Sequence, residues 1–421
     1  MSRLASLLGI LVFLSLAWSL SRHRSRFPWR TVAWGLGLQA GFCVLILHSR
    51  LGHAGFDLAQ RAVNRLIGFA NEGAKMVFGP LGDQAFLSEQ WGADHAYILA
   101  ITVSATIILV SAVSSLLYHW GVLQRLVQAA AWVMRRAMRT SGSESLAAAA
   151  NVFVGMTEAP LVIRPYLARM TESELMALMT GGMATIAGGV LAAYVAFGLS
   201  AGHLLTASVM SAPAALVIAK IMLPETAPSE TASGARPPIE RHTTNGIDAL
   251  CRGATDGVKL SLNVMGMLIA FVAVIALLNH LFSLVQEQVF GWFGQGWEPV
   301  SLQRLVGWLN APCAWLIGVP WKDAVPIGQV LGERIVLNEF LGYATLAGYQ
   351  NAGALEPRSV TLATYALCGF ANLGSIAIQI GGIGALAPER RSDLARLGLR
   401  SMVGGLLACY LTASIVGLLG G

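Results

Sequence analysis

Six polar side chains sit in stretches that are otherwise apolar: Asn151, Glu158, Asn338, Glu339, Asn372 and Gln379. Glu158 follows the run Ala147 to Thr157, and Glu339 lies within Val336 to Tyr343. A carboxylate at bilayer depth costs roughly 2.5–3.5 kcal/mol on insertion scales, so it faces a water-filled path or a polar partner. Carboxylates accept hydrogen bonds, and amides both donate and accept, which suits a polar solute. Plainer roles exist: either glutamate could cap a hairpin tip or pair with a buried arginine, and Gln379 could simply join neighbouring helices. His203 and His280 fall at span ends, where a surface role fits. Gly181, Gly182, Gly188, Gly189, Gly381 and Gly382 either permit close helix packing or mark unwound segments whose carbonyls bind an ion. Unwinding suits Gly181 and Gly182, just before Thr185, and packing suits Gly381 and Gly382. An enzyme is a weaker reading. Two carboxylates could form an acid and base pair, but there is no HExxH, no GxSxG and no His-rich metal pattern beside them.

The elements that must carry these residues are membrane helices. Of 421 residues, 55% are hydrophobic and 12% charged, about half the charge share of a soluble domain. No Asp, Glu, Lys or Arg occurs from Leu175 to Ala219, enough for two spans with a turn near Ser200–His203. Candidate spans are 4–20, 31–48, 96–118, 175–199, 204–223, 260–279, 360–386 and 397–419, each near the roughly 20 residues a bilayer needs. The first resembles a signal peptide, but Arg22, Arg24 and Arg26 follow without a small-residue cleavage pattern, so it reads as a retained span. The segment 119–139 puts Arg125, Gln128, Trp132, Arg135, Arg136 and Arg139 on one helix face, opposite Val122, Leu126, Val133 and Ala137; such a helix lies in the interface. The stretch 53–80 is a second surface candidate, and Pro224 to Asn245 reads as a flexible loop. Cys43, Cys251, Cys313, Cys368 and Cys409 lie far apart without a CxxC and read as packing residues.

The net charge of +6 reports topology and gives no sign of nucleic-acid binding. Loops 22–30, 119–139, 164–169, 220–259 and 390–400 hold 19 of the 28 lysines and arginines, and the positive-inside rule places them in the cytoplasm. Both termini then lie outside. Segments 140–168 and 301–350 must leave and re-enter on opposite sides, as re-entrant hairpins. An internal repeat supports this. Asn151-Val-Phe-Val-Gly155 matches Asn338-Glu-Phe-Leu-Gly342, and Gly182-Met-Ala-Thr-Ile186 matches Gly369-Phe-Ala-Asn-Leu373, both at an offset of 187 residues. The fold expected is an all-α membrane protein of about eight transmembrane helices plus two opposed re-entrant hairpins, in an inverted repeat with broken helices. Such repeats place a substrate site at the bilayer midplane. The chain divides into 1–118 (N-terminal spans and an interfacial helix), 119–139 (a cytoplasmic amphipathic helix), 140–199 (hairpin 1 and a broken helix), 200–300 (two spans and a connecting loop), 301–390 (hairpin 2 and a broken helix) and 391–421 (the last span).

At these residues the sequence resembles the concentrative nucleoside transporter family, in its bacterial eight-span form. Gly155-Met-Thr-Glu-Ala-Pro-Leu-Val-Ile-Arg-Pro-Tyr166 is similar to the first hairpin, and Thr180-Gly-Gly-Met-Ala-Thr-Ile-Ala-Gly188 to the broken helix after it. Leu337-Asn-Glu-Phe340 is similar to the second hairpin. Tyr365-Ala-Leu-Cys-Gly-Phe-Ala-Asn-Leu-Gly-Ser375 and Ala387-Pro-Glu-Arg-Arg391 resemble the C-terminal signature. The resemblance runs from about residue 60 to the C-terminus. It implies a non-enzymatic, cation-coupled symporter that imports nucleosides across the bacterial inner membrane. It implies a lipid-embedded homotrimer, each protomer having a scaffold and an elevator-like transport domain built from both hairpins and both broken helices. Met156, Thr157 and Glu158 would face the nucleobase; Glu339, Asn372 and Ser375 would bind the ribose hydroxyls; Val190 and Phe370 would line the pocket. No cofactor is implied. A sodium site would use the side chains of Asn151 and Thr185 and the carbonyls of Val154 and Ile186, with Thr185 standing where well-known members carry Ser. Some relatives use protons, and Glu158 or Glu339 could then carry one. A related carrier for another ribosylated or polar solute is the other alternative, because Met156 replaces a Gln that bonds the base in many members. A thioether is a weak acceptor and no donor. Met156→Gln is therefore expected to change the ratio of pyrimidine to purine nucleoside uptake; an unchanged ratio in competition assays removes Met156 from the base site.

Overall fold

Backbone inside a bilayer can be satisfied only within helices or closed barrels, and every regular element among the described residues is helical. The structure is a computed structural model describing residues 2–92, 98–232, 234, 243–290 and 300–420. In chain order the helices are α1 (Ser2–Ser19), α2 (Trp29–His48), α3 (Arg50–Phe78), α4 (Gln84–Trp91), α5 (Leu99–His119) and α6 (Val122–Met138). The first hairpin region follows as α7 (Gly142–Asn151), α8 (Ala159–Val162) and α9 (Arg164–Leu167), then α10 (Glu172–Ala184), α11 (Gly188–Ala196) and α12 (Ala201–Met222). The second half holds α13 (Gly246–Phe290), α14 (Leu302–Leu316), α15 (Trp321–Val336), α16 (Glu339–Asn351), α17 (Pro357–Leu367), α18 (Leu373–Leu386) and α19 (Arg391–Leu419).

Six of these among the described residues are long and apolar enough to cross a membrane: α1, α2, α5, α12, α13 and the stretch containing α19. The spans expected at 175–199 and 360–386 are the broken pairs α10–α11 and α17–α18, interrupted at 185–187 and 368–372. The start of the 96–118 span and much of the 224–245 loop lie outside the described residues. Two readings need adjustment. The span placed at 260–279 is the middle of a 45-residue helix, about 68 Å long at 1.5 Å per residue. Its N-terminal turns carry Asp248, Arg252, Asp256 and Lys259, so a hydropathy window ends before the helix does. On α6 the protein-facing stripe is Gln124, Val127, Ala131, Met134 and Met138, whereas Val122, Leu126 and Val133 are exposed. The helix thus has apolar residues on two sides, one packed inward and one outward. Cys251 is exposed rather than packed; Cys43, Cys368 and Cys409 are buried as expected, and Cys313 is partly buried.

The basic loops converge at one end of the molecule. Glu172 at the start of α10 pairs with Arg22 at 2.7 Å and Arg396 at 2.5 Å. Arg169 pairs with Glu230, and Arg390 donates to the carbonyls of Ala168 and Met170. The same end starts α7 and α10 with matching capping boxes, Ser141 with Glu144 and Thr171 with Glu174. There Lys220, at the end of α12, pairs with Glu144 at 2.6 Å and donates to Ser173 at 2.8 Å. The second half starts its equivalent helices at the opposite end. Asp323 near the start of α15 accepts from the Glu356 N–H at 3.0 Å and the Ser359 hydroxyl at 2.6 Å, at the start of α17. Ser6 of α1 donates to the Ile317 carbonyl there, and Arg358 to the Gly417 carbonyl. The repeat is therefore inverted. Its packing is reciprocal: α7 lies on α10 as α15 lies on α17, and α12 and α19 each pack against both broken pairs.

Glu144 and Lys220 are both almost fully buried. Removing one partner of such a pair leaves an uncompensated charge, costing about 3–5 kcal/mol. Lys220→Met should lower the melting temperature of the detergent-solubilised protein, and adding Glu144→Leu should recover most of the loss. A double variant melting lower than the single one contradicts this account.

Candidate functional site

An asparagine lies at each hairpin tip, Asn151 ending α7 and Asn338 starting α16, and each broken helix is interrupted by a short non-helical segment. At the first break α10 ends at Ala184, and Thr185 follows with extended backbone. Small residues let the hairpin tip approach. A Cβ on Gly181 would meet the Asn151 Nδ2 at 3.0 Å, and one on Gly188 would meet the Phe153 carbonyl at 3.1 Å. Gly182 lies against both Met156 and the Gln379 amide. So Gly181, Gly182 and Gly188 all serve close approach at the break, whereas a Cβ on Gly381 would meet nothing within 4 Å.

Asn151 is 1% exposed, and neither Oδ1 nor Nδ2 has a hydrogen-bond partner among the described residues. A buried amide with both atoms free is rare, because each unmade bond costs about 1–3 kcal/mol. Thr185 is also buried, and its hydroxyl donates to the Gly181 carbonyl at 2.9 Å, which leaves its lone pairs available. Ile186 is buried in the break, and Val154 is half-buried at the hairpin tip. An unpartnered amide oxygen and a hydroxyl with lone pairs to spare make a hard-oxygen donor set. That set fits an alkali cation such as sodium.

At the second break the polar groups bond one another. Asn372 caps α18 by accepting from the Ser375 N–H at 2.8 Å, and its Nδ2 donates to Glu339 Oε2 at 3.2 Å. Glu339 Oε1 accepts from the Tyr194 hydroxyl at 3.1 Å. All four side chains are at least 95% buried. Tyr194 was not among the residues singled out from sequence. It stacks on Tyr343 with ring centroids 4.2 Å apart and meets Phe340 edge-on at 5.7 Å, so hairpin 2 seats against α11 of the other repeat. A tyrosine among apolar residues gave no signal in sequence beyond packing. Hairpin 1 reaches across likewise. Met156 lies 3.9 Å from Gln379 Nε2, which also donates to the Met179 carbonyl at 3.0 Å, and Thr157 lies against Gly382. Gln379 thus joins helices as expected, yet its Oε1 stays buried without a partner.

The remaining candidates differ in exposure. Val190 is buried, Phe370 half-buried, and Thr157 and Glu158 exposed. The Glu158 carboxylate has no hydrogen bond or ion pair among the described residues, so the two glutamates have unlike surroundings. Asn338, the repeat partner of Asn151, spends its Oδ1 capping α16 through the Leu341 N–H at 2.9 Å. His203 is not a simple surface residue: its Nδ1 lies 3.2 Å from the Tyr365 hydroxyl, and its ring meets Phe56 edge-on. The span end is packed against α3 and α17, which sequence windows cannot show.

Family models match nearly the whole chain. Residues 8–81 match the Na+ dependent nucleoside transporter N-terminus, residues 203–417 its C-terminus, and residues 100–201 a nucleoside-recognition gate. A Haemophilus influenzae protein described as an uncharacterized transporter is 42% identical over 99% of this chain and 98% of its own. Mouse solute carrier family 28 member 3 is 38% identical over 99% of this chain, which spans 59% of the mouse protein. Rat sodium/nucleoside cotransporter 2 is 37% identical, with 99% of this chain and 63% of that one covered. A solved structure of CNTnw in an inward-facing substrate-bound state superposes with a TM-score of 0.90 at 39% identity, covering 100% of this chain and 99% of that one. With the inverted repeat and its two helix breaks in place, these matches show that the chain belongs to the concentrative nucleoside transporter family.

Proposed function

We propose that the chain is a sodium-coupled symporter that imports nucleosides across a bacterial inner membrane by elevator-type alternating access. The observation that carries this reading is the pairing of two unlike breaks. One presents a buried, unpartnered asparagine amide beside an extended segment. The other presents a buried carboxylate and amide bonded to each other. A ribose diol offers two adjacent hydroxyls, each able to donate to Glu339 and accept from Asn372. Sodium would be held by Asn151 and Thr185 with the carbonyls of Val154 and Ile186. Ser375 would join Glu339 and Asn372 on the ribose hydroxyls; Met156, Thr157 and Glu158 would face the base, with Val190 and Phe370 lining the pocket. The Gln379 amide beside Met156 offers the polar contact to a base that the thioether cannot.

The helices outside the two repeats' crossing support a scaffold role. α5 and α13 pack along each other, and α13 leaves Leu262, Ile269, Val272, Leu277 and Leu281 exposed. An apolar face of that size suits lipid or neighbouring protomers of a homotrimer. Transport rather than chemistry fits a site reached by both hairpins, and the relatives are transporters.

Two outcomes are expected. Glu339→Gln keeps an acceptor for Tyr194 but loses the charge-assisted bonds to the diol, worth about 1.5–3 kcal/mol, or roughly 10- to 150-fold in nucleoside affinity. Uptake should fall accordingly while the protein still inserts and assembles; near-normal uptake contradicts the ribose role. In proteoliposomes, uridine and adenosine should accumulate under an imposed sodium gradient and not under a proton gradient alone. Accumulation driven by protons without sodium would replace the sodium site with a carboxylate carrier, for which unpartnered Glu158 is the first candidate. No accumulation of either nucleoside would sink the substrate assignment.

A further inference from the structure

The two breaks differ in how the ends of their half-helices are satisfied. In the register of the repeat Leu367 corresponds to Thr180, so α17 stops four residues earlier than α10, which runs on to Ala184. A helix that stops leaves its last four carbonyls without intrahelical partners. In α17 each finds one. The Tyr343 hydroxyl donates to the Thr364 carbonyl at 3.0 Å, and the N–H groups of Cys368 and Gly369 donate to Tyr365 and Leu367 at 3.2 and 2.7 Å. Arg334 Nη1 donates to the Ala366 carbonyl.

Arg334 is fully buried, and its guanidinium carbon lies 5.2 Å from the centroid of the Tyr410 ring. Its Nε and Nη2 have no hydrogen-bond partner, and no carboxylate pairs with it among the described residues. A buried cation with no carboxylate in contact is costly, so this one needs other features to hold it. The negative end of a half-helix, its orphaned carbonyl and the face of a tyrosine are three such features. At the first break no arginine bonds to the end of α10 among the described residues. That end has the unpartnered Asn151 amide instead.

We infer that Arg334 is a tethered cation, supplying at the break of the second repeat the positive charge that a mobile sodium ion supplies at the first. The inference rests on the sodium reading for its comparison. Arg334 lies on α15, which leads into Asn338 and Glu339, and it clasps the end of α17, which leads towards Asn372. It is a positioning residue for the ribose-binding pair. With one break charged permanently, one mobile cation per nucleoside suffices.

The test uses full-length protein in nanodiscs, with uridine binding measured against sodium concentration for the wild type, Arg334→Ala and Arg334→Lys. The wild type should show a Hill coefficient for sodium of about 1. Arg334→Ala should lose uridine affinity by about tenfold or more, the scale of one charge-assisted hydrogen bond. Millimolar guanidinium chloride should restore much of that loss without affecting the wild type, and Arg334→Lys should stay near wild-type affinity. A merely structural role predicts lower melting temperature and no rescue by guanidinium. Wild-type affinity in a folded Arg334→Ala, or a loss that guanidinium does not reverse, overturns the proposal; so does a wild-type Hill coefficient near 2. If Arg334→Ala does not fold, a large affinity loss in folded Arg334→Lys overturns the proposal, and near-wild-type affinity supports it. Wild-type binding indifferent to sodium, with guanidinium rescue intact, sinks the sodium reading alone and leaves the tethered charge supported.

Discussion

A helix that stops inside a bilayer must find partners for up to four carbonyls at one end and four N–H groups at the next, with no water to supply them. This chain breaks two helices at such depth, and the arrangement of its buried polar groups follows from that. Asn372 caps the restart of α18, Tyr343 and Arg334 close the end of α17, and the Thr185 hydroxyl bonds back to Gly181. Among the described residues, only at the first break does a buried amide keep both of its atoms free. The same constraint that makes a broken helix expensive makes it useful, since carbonyls and amides without mutual partners are what an ion or a polar solute can satisfy.

The ends of the repeats are fixed while their tips converge. Capping boxes and the Glu144–Lys220 pair anchor the starts of α7 and α10 at the basic end. Asp323, Ser359 and the backbone of Glu356 do the equivalent work at the other. From these anchors each hairpin reaches the broken helix of the opposite repeat, Glu339 towards Tyr194 and Met156 towards Gln379. A movement of these elements as a body would carry the two breaks together. The tips are chemically unequal: the first leaves Thr157 and Glu158 exposed, and the second buries Glu339 among hydrogen bonds.

The candidate site was partly legible before the fold was. Asn151, Glu339 and Asn372 stood out as polar residues in apolar stretches, and the 187-residue offset paired Asn151 with Asn338 and Asn372 with Thr185. Tyr194 did not stand out, since a tyrosine on an apolar helix carries no charge and breaks no pattern. Arg334 was hidden differently. It follows Glu333 on a helix that also carries Lys322 and Asp323, where a surface role is the ordinary expectation. His203 was misjudged for a related reason: a window along one helix cannot see α3 and α17 folding over its end.

By itself the sequence determined the solvent and the architecture. Hydropathy and charge asymmetry act along the chain, so they specified eight crossings, the basic end and the inverted halves without reference to contacts. Tertiary structure decided which polar groups satisfy each other and which are left over. Asn151 and Asn338 are equivalent in sequence, yet one is unpartnered and the other caps a helix. That difference depends on where the hairpin helices stop: α7 runs to Asn151, whereas α15 ends at Val336 and leaves Asn338 to start α16. The side chains that close the end of α17, Arg334 and Tyr343, come from the hairpin before it, and the hairpin tips find their partners in the opposite repeat; only the folded chain brings these groups within hydrogen-bond distance.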